Sequence, residues 1–240
     1  MKRTVALSFA SACALLGCAG SERGAAAPRA GGETPVVFAS YGPAEAAFVD
    51  APAVVVPASP CARVFVAVAS GELAAAGERL HEGDVLVFAH QAPVVLTGSA
   101  LTLVVRRSVA CGGEAEKSLV RAGAAEELTW AAGQMHAHLD VGKELSPELY
   151  FGRLAGTASV AEHAHEGAWE LLAAVEASGT FTVDGVPHRL GARQILAIAP
   201  GTKHAWQADP GTRLVALQMY DPPGPEQRFV GLAKAAAKAP

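Results

Sequence analysis

With 240 residues, 51% of them hydrophobic and 18% charged, the chain can bury one large core or two smaller ones, which excludes an intrinsically disordered protein. A formal net charge of −4, with no cluster of Lys and Arg, argues against a nucleic-acid partner and for a small-molecule ligand.

At the N-terminus, Lys2 and Arg3 precede an apolar run from Thr4 to Leu16, followed by Gly17 and Cys18. This is the layout of a secretory signal, and it is too short to span a bilayer, which takes about 20 apolar residues. The stretch LLGC resembles the lipobox of bacterial lipoproteins. The resemblance implies that residues 1–17 are removed and that Cys18 is lipidated, with a plain cleaved signal as the alternative. An exported protein of the cell envelope is therefore expected, facing the periplasm or cell surface and touching the membrane only through its lipid. Residues 18–34, made largely of small and polar residues, read as a flexible tether. Cys13 would leave with the signal, so Cys61 and Cys111 remain as a pair in an oxidising compartment. A disulfide between them would contribute about 4 kcal/mol in the chain-entropy model. Two separate buried cysteines are the alternative.

Beyond the tether, short runs such as ARVFVAVASGEL, DVLVFA, ALTLVVRRSV, QMHAHLDV and RLVALQMY alternate with Gly, Pro, Asp or Ser signals, the rhythm of an all-β protein. Gly71, Gly77 and Gly83 recur as Gly179, Gly185 and Gly191, each 108 positions later and without a gap. Such glycines suit hairpins, where they supply positive φ at the reversal, as in VDG at 183–185. Two related β units follow: 35–112 and 127–224, joined by a connector at 113–126. The last segment, 225–240, reads as a short helix that packs Phe229 and Leu232 back on the second unit.

The second unit carries the chemistry. His163 and His165 in EHAHEGAWE share one face of a strand, with Cα atoms about 6.5 Å apart. Glu170 follows a short turn, and Pro200 and Gly201 set a turn that delivers His204. Three imidazoles and one carboxylate suit one divalent transition metal ion, Mn, Fe, Ni, Cu, Co or Zn, with positions left open for substrate or water. The pattern of Gly156, His163, His165, Glu170 and Gly179, then Gly191, Gly201 and His204, resembles the two motifs of the cupin family over roughly residues 150–208. Ala199 replaces the proline of the second motif and Gln207 stands near its usual asparagine, departures that affect loop geometry and remove no ligand.

The resemblance implies two double-stranded β-helix (jelly-roll) barrels in tandem, with His163, His165, Glu170 and His204 as metal ligands of the second. The 108-residue offset places Val55, Pro57, Ala62 and Leu96 opposite these four, so the first barrel is expected to be degenerate. By the same resemblance the protein is expected to be a metal-dependent enzyme acting on a small organic molecule, of the dioxygenase, isomerase or decarboxylase type. Glu170 would serve as ligand or catalytic base, and a homodimer is implied by family analogy. The alternative is a non-catalytic envelope lipoprotein that binds a small ligand or a metal. His136 and His138 form a second HxH pair, but no acidic or imidazole partner follows at motif spacing, so they read as solvent-facing strand residues. His81, His90 and His188 read as ordinary surface histidines. Arg153, Trp169, Trp206, Gln218 and Tyr220 are candidates to line the pocket or to fill the barrel.

Overall fold

A computed structural model describes residues 34–35, 39–89, 92–111 and 117–238. The expected signal, the lipidation residue Cys18, the tether up to residue 33 and His90 lie outside the described residues.

In chain order the first half contributes β1 (Thr34–Pro35), β2 (Ala39–Tyr41), β3 (Ala44–Val49), β4 (Ala53–Val56), β5 (Ala62–Ala75), β6 (Glu78–His81), β7 (Val85–Ala89), β8 (Val94–Ser108) and β9 (Ser118–Val120). The second half contributes β10 (Glu127–Trp130), β11 (Met135–Val141), β12 (Tyr150–Gly156), β13 (Val160–His163), β14 (Trp169–Glu176) and β15 (Ser178–Val183). It continues with β16 (Val186–Gly191), β17 (Ile195–Ile198), β18 (His204–Ala208), β19 (Leu214–Asp221) and the helix α1 (Gln227–Ala236). The first nine strands form one sheet, and the rest form a six-stranded and a four-stranded sheet. The result is two jelly-roll barrels in tandem. β9, inside the segment read as a connector, pairs with the edge of β7, covering backbone groups that would otherwise lack partners.

The glycine repeat is a repeat of strand register. Glu72 pairs with His81 as Thr180 pairs with Arg189. Arg63 pairs with Ala89 as Leu171 pairs with Ala197. Glu72 also pairs with Ser99 as Thr180 pairs with Gln207. The hairpins between them turn at Ala76–Gly77 and Asp184–Gly185, all four with positive φ, the conformation of a type I′ turn. Cys61 and Cys111 form a disulfide that ties the entry of β5 to the exit of β8.

Alternation along the long strands sorts side chains into three cores. Val64, Val66 and Val68 of β5 fill the N-terminal barrel with Leu80, Leu86 and Leu96. Phe65 and Ala67, on the opposite face, meet Phe151, Leu171, Ala173 and Met219 in a core between the barrels. The rings of Phe65 and Phe151 stack there with centroids 6.2 Å apart. An Arg107–Asp221 ion pair also crosses this seam. The C-terminal barrel is lined by Leu172, Ile198, Phe181, Trp206 and Tyr220. α1 seats Phe229 on its mouth, stacked on Trp130 with a centroid distance of 5.4 Å. No helix among the described residues is long and apolar enough to cross a membrane.

Candidate metal centre

Strand ends converge at the mouth of the C-terminal barrel. β13 ends at His163, which pairs with His204, the first residue of β18. Glu170, the second residue of β14, pairs with Tyr220 and Ile198. His165 lies in the turn after β13, and its carbonyl accepts a hydrogen bond from Gly201 N–H at 2.8 Å. The turn that delivers His204 thus also anchors His165. One ligand-type atom from each of the four residues lies within 4.8 Å of the others.

Backbone contacts fix how the imidazoles present themselves. His163 Nδ1 lies 2.9 Å from the carbonyl of Ala161, and His204 Nδ1 lies 2.9 Å from that of Thr202. A carbonyl can only accept, so each Nδ1 carries the proton and each Nε2 keeps a free lone pair. Glu170 Oε2 is 3.1 Å from His165 Nε2 and 3.0 Å from His204 Nε2. None of these three buried atoms has a partner in hydrogen-bonding geometry. Their close approach without mutual alignment is what ligands around a shared centre show, since buried polar atoms otherwise find partners.

The carboxylate is held from behind. Gln218 Nε2 donates to Glu170 Oε1 at 2.6 Å and to Tyr220 Oη at 2.9 Å, leaving Oε2 turned to the histidines. Burial alone would raise the Glu170 pKa, but His165 and His204 outweigh it and hold the carboxyl well below its usual range. Burial works against a charged His204 as well, and Glu170 reverses this, so its pKa is raised. His163 is pushed down to about 4, by burial first and by His204 second.

A cavity of about 230 Å³ opens beside the four residues, walled by Trp130, Leu154, Phe181, Trp206 and Phe229. Trp206, Gln218 and Tyr220 line it, as the sequence allowed. Arg153 does not, because it forks onto Asp140 at 2.9 and 2.8 Å. Trp169 packs instead beneath Gly42, where any side chain would strike its ring. The other HxH pair stays apart from this centre. His136 Nδ1 lies 3.1 Å from Glu127 on the preceding strand, and His138 is half-buried, 3.9 Å from the same carboxylate. His138 is thus less solvent-facing than expected, and the pair's acidic neighbour precedes it in the chain. Arg228, Trp130 and Phe181 also line the cavity and were missed in the sequence. The inward parity of Phe181 was readable from its hairpin; the docking of α1 through Phe229 and Leu232 was expected, but not that it brings Arg228 to the cavity.

In the N-terminal barrel, Leu96 pairs with Val54 where His204 pairs with His163, one residue from the expected Val55. Val54, Ala62 and Leu96 are 5%, 3% and 3% exposed, so the equivalent place is filled with hydrocarbon.

Residues 151–220 match the family model of the cupin domain. The whole two-barrel fold is similar to that of an IolB-like protein from Salmonella typhimurium, at 16% identity and a TM-score of 0.60, covering 81% of this chain and 90% of that one. It is also similar to oxalate decarboxylase from Bacillus subtilis, described with Mn(II) centres, at 11% identity and a TM-score of 0.55, covering 75% and 69%. Vicilin from hazelnut, Corylus avellana, shares the fold at 11% identity and a TM-score of 0.56, covering 74% of each chain. At these identities the likeness speaks for the fold alone. No curated protein matches the chain in sequence. The segment that matches the cupin model carries the four-residue cluster suited to a metal ion, and the N-terminal barrel carries none at the equivalent place.

Proposed function

We propose that the protein is a metal-dependent enzyme of the cell envelope that acts on a small organic molecule, by dioxygenase-, isomerase- or decarboxylase-type chemistry. One observation carries the reading: three unpartnered buried ligand atoms converge beside an apolar cavity large enough for a substrate. His163, His165, Glu170 and His204 would hold the ion, whose identity lies among Mn, Fe, Ni, Cu, Co and Zn. When bound, such an ion supplies Lewis acidity or a site for O₂ beside the substrate.

The chain's own residues set the conditions for that chemistry. The carbonyls of Ala161 and Thr202 fix the tautomers of His163 and His204, so neither imidazole must reorient to bind. Gln218 keeps one carboxylate oxygen of Glu170 occupied and the other free, limiting Glu170 to ligation or to a single proton-accepting position. Trp206, Phe181 and Leu172 keep water away from the inner wall. Lipidation of Cys18 belongs to the same proposal and would tether the domain to a membrane.

Elemental analysis of the purified protein and of His163→Ala tests the centre. The wild type should carry about one ion per chain and the variant a small fraction of that; equal content in both would overturn the assignment. Bound metal with no turnover of candidate substrates would favour a ligand-binding protein. For the anchor, Cys18→Ala should move the protein from the membrane to the soluble fraction, and continued membrane association would count against lipidation.

A further inference from the structure

α1 contributes Arg228, Phe229 and Leu232 to the cavity wall. Residues 228 and 232 share one helical face, with 229 beside them, so the guanidinium sits among apolar neighbours that close the barrel mouth. Among the described residues Arg228 makes no ion pair and no side-chain hydrogen bond. Glu170 is the acidic group of the cavity wall; Gln218 holds its Oε1, and its Oε2 is turned to His165 and His204, at 3.1 and 3.0 Å, rather than to Arg228. Arg228 is close enough to act electrostatically on His163, His204 and Tyr220.

An unpaired cation here works against the fold. Partial removal of a guanidinium from water is unfavourable without an anionic partner. Glu226, the N-cap residue of α1, does not pair with it: its carboxylate accepts from Gly224 N–H at 2.6 Å and from Gln227 Nε2 at 3.3 Å, and the first turn, where the positive end of a helix favours acidic residues, has none. Local rules broken in this way are typical of functional sites, and this charge lines a cavity.

We propose that the cavity takes a small carboxylic acid with an apolar body, its carboxylate held by Arg228 and its other end facing His163, Glu170 and His204. A guanidinium fork matches a carboxylate in two parallel hydrogen bonds, and the aromatic walls suit a ring or branched chain. The volume agrees: an apolar cavity of about 150 Å³ holds benzene, so about 230 Å³ accommodates a ring with a short acidic arm. This assignment of substrate class rests on the reading of the cluster as a reaction centre.

The test titrates wild type, Arg228→Gln and Arg228→Lys with benzoate and phenylacetate and with the matching neutral amides. Binding is followed by Trp130 and Trp206 fluorescence, and metal content is measured on the same samples. The wild type should bind the acids about tenfold or more tighter than the amides. Arg228→Gln should abolish that preference and leave amide binding and metal content unchanged. Arg228→Lys, which keeps the charge and loses the fork, should fall between them. Equal binding of acids and amides by the wild type, binding of neither at millimolar concentration, or an undiminished preference in Arg228→Gln would each overturn the proposal. The wild-type comparison decides even if a variant fails to fold. The two readings fail separately: metal-free protein that prefers acids refutes the metal enzyme and upholds Arg228, and metal-loaded protein without preference does the reverse.

Discussion

From Ala62 to Ser99 the N-terminal barrel pairs its strands in the register of residues 170–207 of the C-terminal barrel, yet the two interiors are chemically opposite. Where one sets His163 beside His204, the other sets Val54 beside Leu96, and Ala62 stands in the place of Glu170. The N-terminal interior closes with branched aliphatic side chains packed on one another. The C-terminal interior stops short, leaving a cavity and, among its buried polar atoms without partners, Glu170 Oε2 and the Nε2 atoms of His165 and His204. The same backbone is stable with hydrocarbon at these positions, so the polar set in the second barrel is not demanded by the fold. Without a bound group it carries the cost of burying unpaired polar atoms.

The sharpest way to break this contrast is a pair of variants at equivalent places. His204→Ala should abolish metal retention, read as metal content after dialysis, and retention equal to wild type would erase the distinction between the barrels. Leu96→Ala should leave metal content unchanged and lower unfolding stability by about 2–5 kcal/mol in denaturant titrations, as for other buried Leu truncations. A smaller effect is expected from the residue behind the carboxylate. Gln218→Ala should weaken metal affinity by about 10–100-fold in competition with a chelator, the usual loss when an outer partner of a ligand is removed. An unchanged affinity would mean that Glu170 is held without it.

The pH response gives the smallest and most specific signal. His163 has a folded pKa of about 4, below the 6.5 of the unfolded chain, so between these values the unfolded state binds more protons. Its contribution is therefore lost as pH falls through that window. His204, whose pKa is raised, changes stability in the opposite sense, with stability lost as pH rises through its folded pKa. Chelator-treated wild type should lose melting temperature relative to His163→Gln between about pH 6.5 and 4. Parallel melting curves for the two proteins would show that folding does not depress the His163 pKa.

Much of the centre was legible because its rules are local. A period of two puts Glu170, Leu172 and Ala174 on one face of β14, and the Pro200–Gly201 turn delivers His204 next to it. The glycine repeat was readable because type I′ hairpins demand positive φ at fixed places, which Gly77 and Gly185 supply. Arg153 and Trp169 were ambiguous because the face of a strand residue depends on which neighbour it meets. Asp140 captured the first, and the loop at Gly42 covered the second. β9 was read as connector because three residues carry no periodic signal, and its pairing is decided by the open edge of β7. The packing of Phe229 and Leu232 of α1 on the second barrel was legible from the apolar spacing of the tail, but Arg228 was missed because which charged residue of that helix reaches the cavity depends on the seat of Phe229 on Trp130.

β14 and β19 are each shared walls. Leu171, Leu217 and Met219 press into the seam against Phe65 and Val105, and the intervening Glu170, Gln218 and Tyr220 project to the other side. The barrel without the cluster is therefore a stiff backing plate for the one that carries it. A void opened in the seam, for example by Phe65→Ala, would be transmitted through a single thickness of sheet to the carboxylate and its clamp, without any group in the pocket being changed.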